Sequence, residues 1–176
     1  MEIYKNIDTD NISYDKNNKT IFVKYKKKNF VFQTPKIDKP EIDKIENDSE
    51  TKYYLDFKVD NSLNFHSCLE NIESKLVRDI ENNYSSWFNV EELDDDNYKS
   101  FLNDGIFKTK VPVDENNNLK IDIIYKNKSY KNCEIDQLED FLDDSKKVKA
   151  IVQCTCIWNY KEKFGCSWKI LNLKFY

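Results

Sequence analysis

Glycine is almost absent: 176 residues hold two, Gly105 and Gly165. A loop that cradles phosphate needs several glycines close together, so P-loop and dinucleotide-binding chemistry is excluded. Histidine occurs once (His66) and arginine once (Arg78). One histidine, with no Cys or acidic partner at ligand spacing, supports neither a Ser-His-Asp set nor a Cys/His zinc site. His66 is expected at the surface or at an edge. With a single arginine, phosphate contacts fall to lysine ammoniums, which are point charges rather than planar forks. No apolar run reaches the ~20 residues that span a bilayer. The opening MEIYKNIDTD lacks the basic start and apolar stretch of a signal peptide. The expectation is a cytoplasmic protein with no membrane partner. Five cysteines, an odd number at irregular spacing, fit reduced thiols rather than a disulfide framework.

What the chain has is lysine, asparagine and aromatic rings. Lysine supplies all but one of its 28 basic residues, a bias that reads as coding from an AT-rich genome. The formal charge of −4 conceals a partition. Residues 1–40 carry nine lysines against five acids, and residues 146–176 carry seven against one. Residues 41–104 carry six basic against seventeen acidic residues. If the two basic ends meet, they form a positive face on an acidic protein.

The length suits one domain, 1–176, around one core. Residues 20–25 (TIFVKY) and 30–33 read as a β-hairpin with a basic tip at 26–29. Pro35 and Pro40 punctuate a charged loop over 35–51. In YYLDFKV (53–59), Tyr53, Leu55, Phe57 and Val59 share one strand face. A helix follows, capped by Asn61 or Ser62. Its stripe is Phe65, Leu69, Ile72, Leu76 and Ile80, with Glu70, Glu73, Lys75 and Arg78 on the wet side. A second helix is expected over Val90–Leu102, stopped by Gly105, giving a helical insertion over 62–103. Strands are expected at Ile106–Val113 and Leu119–Tyr125, either side of a turn at Asp114–Asn118. Ile135–Leu142 reads as a short helix started by Asp136.

A long hairpin closes the chain. Val148, Ala150, Val152, Cys154, Cys156, Trp158 and Tyr160 are expected on one face, with a turn at 161–164. The returning strand shifts parity between Ile170 and Leu171, which implies a bulge or barrel corner. The fold class that follows is mainly β with inserted helices (α+β), an OB-like small barrel closed by a long C-terminal hairpin.

No constellation carries catalysis. Cys154 and Cys156 sit on one face, Cys166 is expected beyond reach of both, and the fourth ligand of a zinc site is missing. Core thiols are expected. Asp94, Asp95 and Asp96 lack EF-hand spacing. No enzyme, cofactor or metal is expected.

Lysines interleaved with rings remain: Lys24-Tyr25-Lys26, Phe107 to Lys110, Tyr125 to Lys131, and Tyr160 to Phe164. Lysines tracking phosphates beside stacking rings make a surface for single-stranded nucleic acid. The candidate contacts are Lys24, Tyr25, Lys26, Lys27, Lys28, Tyr54, Lys108, Lys110, Lys161, Lys163 and Phe164.

The segment VKAIVQCTCIWNYKEKFGCSWKILNLKF resembles the closing hairpin of a family of single-stranded DNA-binding proteins. These are phage-type OB-fold proteins of large cytoplasmic DNA viruses, with relatives on yeast linear killer plasmids. The resemblance covers Ile151 to Trp158, then Phe164, Gly165, Ser167 and Trp168, then Ile170 to Leu173. It implies an OB-like barrel, DNA binding without sequence preference, and a role in replication or recombination. Trp158, Gly165 and Trp168 would fix the hairpin and core, while Lys161, Lys163 and Phe164 at its turn would touch DNA. Phage relatives recruit replication proteins through an acidic tail. Here no acid follows Glu162, so such recruitment would fall to internal acidic stretches at Glu41–Glu50 and Glu91–Asp96. The partners this allows are single-stranded DNA, replication proteins and a second copy in a homodimer. The competing expectation is a structural or adaptor protein of a virus-like element, binding protein partners through the same fold. A weaker one is an accessory subunit of a transcription or replication enzyme.

Overall fold

The computed structural model of the chain describes residues 5–18, 20–47, 50–90 and 97–176. Its strands are β1 (Ile12–Asn17), β2 (Thr20–Tyr25), β3 (Lys28–Gln33), β4 (Ile37–Asp38), β5 (Glu41–Glu46) and β6 (Thr51–Lys58). After helix α1 (Leu63–Phe88) come β7 (Tyr98–Lys99), β8 (Leu102–Asn103), β9 (Ile106–Val111), β10 (Asp122–Tyr125) and β11 (Lys128–Tyr130). Helix α2 (Ile135–Asp143) precedes the long pair β12 (Lys147–Tyr160) and β13 (Lys163–Phe175). The protein is mainly β with two helices among the described residues, an α+β arrangement around one large sheet.

The sheet runs β1-β2-β3-β12-β13-β9-β6-β5. β10 adds in parallel to β13, and β2 also touches β12. Among the described residues no pairing joins β1 to β5, so the sheet is open rather than closed into a barrel. The two basic ends of the chain do meet, because β2 and β3 pair directly with β12.

The hydrophobic patterns act as expected at the core. Tyr53, Leu55, Phe57 and Val59 are buried along β6. The helix stripe Phe65, Leu69, Ile72, Leu76 and Ile80 is buried against the sheet. Phe65 meets Phe32 and Phe107 edge-on at 6.0 and 6.3 Å. Trp168 packs among Phe30, Phe32, Phe101 and Phe107, with centroids 5.2–5.7 Å away. Ser62 takes the N-cap position without a side-chain bond, and α1 runs on past Ile80 to end at Asn89 in the left-handed region. α2 opens with a capping box, in which Glu134 and Gln137 bond each other's backbone N–H groups. The bulge also forms: Ile151 pairs with Asn172 but Val152 pairs with Ile170, leaving Leu171 as the extra residue.

Four expectations are corrected. The second helix is not formed over its described part. Residues 98–99 and 102–103 are strands, and residues 91–96, including Asp94, Asp95 and Asp96, lie outside the described residues. Asp104 and Gly105 have φ of 51° and 72°, and they turn β8 into β9 as a two-residue hairpin. Glu73 on α1 holds the preceding segment, accepting from Tyr98 Oη at 2.9 Å, Ser100 Oγ at 2.7 Å and the Phe101 N–H at 3.1 Å. Among the described residues the helical insertion is therefore 63–88, where 62–103 was expected.

The stretch 35–51, expected as loop, contributes β4 and the edge strand β5. In the closing hairpin the turn is only Lys161–Glu162, with φ of 48° and 68°, so Tyr160 pairs with Lys163. A second bulge lies at Thr155, since Cys154 pairs with Trp168 and Cys156 with Ser167. The extra residue reverses the alternation. Val148 to Cys154 face the core, but beyond the bulge Ile157 does, and Cys156, Trp158 and Tyr160 turn outward.

Candidate nucleic-acid interface

β13 is bridged to β7 at Gly165–Lys99 and to β9 at Lys169–Lys110. Between these points no described strand pairs with that side of β13. The interruption opens a cleft of about 550 Å³. Phe101, Cys166 and Trp168 line it from the core side, Trp158, Cys156 and Thr155 from β12, and Tyr54 from β6. Five lysines complete it: Lys52, Lys99, Lys108, Lys110 and Lys169. No Asp or Glu is among the lining residues. A second depression of about 650 Å³ shares Lys52, Lys110 and Lys169 and adds Lys120, but Glu50, Asp114 and Glu115 also line it, so the charge past the cleft is mixed.

Register explains the grouping. Tyr54 pairs with Lys110, Lys110 with Lys169, and Lys169 with Gln153, a transverse row over four strands. Partners in a row place their side chains on one face. Lys110 and Lys169 are therefore like charges directly opposed, and neither has an ion pair among the described residues. On β12 the bulge at Thr155 turns Trp158 to the cleft, where its indole crosses Gly165. Phe22, 39% exposed, pairs with Cys156 and joins the same face, with Lys24 Nζ 5.9 Å from its ring.

The other cleft lysines differ in electrostatics. Lys108 Nζ lies 2.6 Å from Asp43 and 3.6 Å from Asp56, and 5.5 Å from the Tyr54 ring. Burial pulls the Lys108 ammonium down, but the two carboxylates outweigh it and hold its pKa above the ordinary value. Burial raises the Asp56 carboxyl despite Lys108, and its Oδ1 is buried with no hydrogen-bond partner. Lys52 pairs with Glu50 at 2.6 Å. Among the described residues Lys99, Lys110 and Lys169 form no ion pair, although Lys110 helps Lys52 hold the Glu50 carboxyl below its ordinary value.

Of the residues expected from sequence, Tyr54, Lys108 and Lys110 meet here. Lys24 sits across the sheet, bonded to Asn29 at 3.0 Å. Lys26 and Lys27 form the β2–β3 turn and Lys28 opens β3, all exposed. Lys161 and Lys163 are exposed at the β12–β13 turn, where Lys161 Nζ lies 5.3 Å from the Tyr160 ring. Because Ile21 and Phe22 pair with Ile157 and Cys156, the β1–β2 end of the sheet, rather than the Lys26–Lys28 tip, lies toward that turn. Tyr25 and Phe164 are corrections. Tyr25 is 2% exposed, stacks on Phe30 at 5.3 Å and accepts the Asp8 N–H, while Phe164 is 1% exposed against Tyr98. Neither offers a ring face to a base. The YKNKSYK stretch is also tied up at its start, where Lys126 pairs with Asp144 at 2.9 Å.

Trp158, Phe22, Lys52, Lys99 and Lys169 are the residues that sequence reasoning missed. Strict alternation put Trp158 in the core, and only the bulge reverses it. Lys99 lay inside the expected second helix. Lys169 carried a usable signal, since it alternates with the buried pair Trp168 and Ile170.

The cysteines are also rearranged. The two-residue turn pairs Cys166 with Ile157, and its sulfur stands 3.0 Å from that of Cys154. The expectation that Cys166 lies out of reach is therefore overturned for Cys154. Cys156 points to the cleft side, and among the described residues no three metal-ligating side chains converge. His66 lies half-buried on α1, with Nδ1 3.6 Å from Glu70. No family model, curated protein or solved structure matches the chain.

Proposed function

We propose that the protein binds single-stranded DNA without sequence preference, through the cleft between β13 and β9. The observation that carries this reading is the opposed pair Lys110 and Lys169, without an ion pair among the described residues, beside Tyr54 and Trp158 in a cleft with no acidic lining. Opposed like charges cost stability in the free protein, and a phosphate between them removes that cost. Tyr54 and Trp158 supply ring faces for bases, each stack worth ~1–3 kcal/mol. Lys99 extends the phosphate track at the β7 end of the cleft. In this reading the protein is not a catalyst. It coats single strands during replication or recombination of a virus or virus-like element in the cytoplasm. The sheet is read as an OB-like barrel opened between β1 and β5, its curvature supplied by the bulges at Thr155 and Leu171.

The test is fluorescence anisotropy of labelled oligo-dT at two salt concentrations, with duplex DNA as competitor. Micromolar or tighter binding that prefers single strands, weakens with salt and is lost in Trp158→Ala supports the reading. Absence of binding at low salt ends it and leaves the protein-adaptor expectation to be pursued by partner capture.

A further inference from the structure

We propose that Cys154 and Cys166 are a reversible oxidation site, a thiol pair that closes to an intramolecular disulfide beneath the cleft. Their sulfurs are 3.0 Å apart while both cysteines are free. A disulfide needs ~2.05 Å, so small side-chain movements bring them together. The juxtaposition is built by the backbone. The two-residue turn sets the register of the hairpin, and the bulge at Thr155 turns Cys156 away, leaving one thiol rather than two for Cys166 to meet.

Access is asymmetric. Cys154 is fully buried, whereas Cys166 is 7% exposed and lines the cleft. A small peroxide reaches Cys166 first. The Cys166 thiolate attacks one peroxide oxygen, the O–O bond breaks, and Cys166 becomes a sulfenic acid with release of water. Cys154 Sγ then attacks that sulfur, its thiol proton leaves with the departing hydroxyl as a second water, and the S–S bond forms. Two thiols and one peroxide give one disulfide and two waters. A dithiol reductant reverses the change by exchange. None of this depends on the nucleic-acid reading.

The experiment treats the full-length native protein with hydrogen peroxide, blocks residual thiols, and maps the tryptic peptides. Trypsin cuts after Lys161 and Lys163, so a Cys154–Cys166 bond links two separate peptides. Fragmentation of the linked species locates the bond in the unaltered chain. The expected result is a mass loss of about 2 Da from two hydrogens, a link at Cys154 that persists in Cys156→Ser, and its removal by dithiothreitol. The absence of a linked species while the protein stays folded by circular dichroism overturns the proposal. A link located at Cys156 overturns it equally.

Discussion

The indole of Trp158 occupies the space that a side chain on Gly165 would fill. A Cβ at Gly165 would stand 2.8 Å from Trp158 Cζ2 and 2.7 Å from the carbonyl oxygen of Lys99. One of these contacts is backbone and cannot swing away. Gly165→Ala is therefore expected to cost ~1–3 kcal/mol through overpacking, measured by urea denaturation. It is also expected to displace Trp158 and weaken oligo-dT binding. A variant of unchanged stability would show that the two strands and the indole do not approach this closely.

Lys110 and Lys169 yield a prediction of opposite signs. Lys169→Gln removes the like-charge contact, so the free protein is expected to gain ~0.2–1 kcal/mol. The same change is expected to weaken oligo-dT binding and to lower the slope of log K against log salt by ~0.7, one phosphate contact on a single strand. A substitution that merely damages the fold would lower both stability and binding. Denaturation and anisotropy on one sample separate these cases.

Alkaline pH is expected to destabilise the fold through Tyr14 and Tyr98. Burial raises both hydroxyls above the ordinary tyrosine value, and the carboxylates of Asp79 and Glu73 raise them further. In the unfolded chain each ionises near pH 10, while in the fold each keeps its proton. Above that pH the folded state binds more protons, so stability is complete below pH ~10 and falls as pH rises. Each residue contributes a loss of about 1.4 kcal/mol in all between pH 9 and 11, the slope steepening as pH passes 10. Urea denaturation between pH 9 and 11 measures it, and Tyr98→Phe is expected to make the fall shallower.

The turn Lys161–Glu162 holds two side-chain-bearing residues at positive φ. For residues other than glycine this region costs roughly 1–2 kcal/mol. Glu162→Gly is expected to stabilise the protein by about 0.5–1 kcal/mol, the relief less the extra chain entropy of glycine. The midpoint of urea denaturation checks it. A lower midpoint would mean that Glu162 makes a contact that outweighs its backbone strain.

Elements whose signal is local were legible in the sequence. The β6 face and the α1 stripe repeat with fixed periods, and their burial follows them residue by residue. The parity break at Leu171 marks in the sequence the bulge that forms there. Features set by distant contacts were not legible. Turns were legible at 26–29 and 161–164, but not that each is only two residues, Lys26–Lys27 and Lys161–Glu162, since neither carries the Asn-Gly signature of such turns. Asp104–Gly105 does carry that type of signature, and reading Gly105 as a helix stop overlooks it. Residues 98–103 are held by Glu73, a partner 25 residues away at the nearest. For the candidate site, sequence identified Tyr54, Lys108 and Lys110 but not the bulge that presents Trp158 or the pairing that opposes Lys110 to Lys169.

The placement of β12 and β13 has a consequence for synthesis. They lie in the middle of the sheet but follow every other described strand in the chain. As the polypeptide leaves the ribosome, β1 to β3 and β5 to β9 emerge as two separate half-sheets, each with an inner edge unpaired. Helix α1 touches both, through Phe65 against Phe32 and Phe107, but no described strand joins them until the last hairpin is out. A chain that stops before Lys147 therefore keeps two sticky borders and is prone to aggregate rather than to form a smaller working fold.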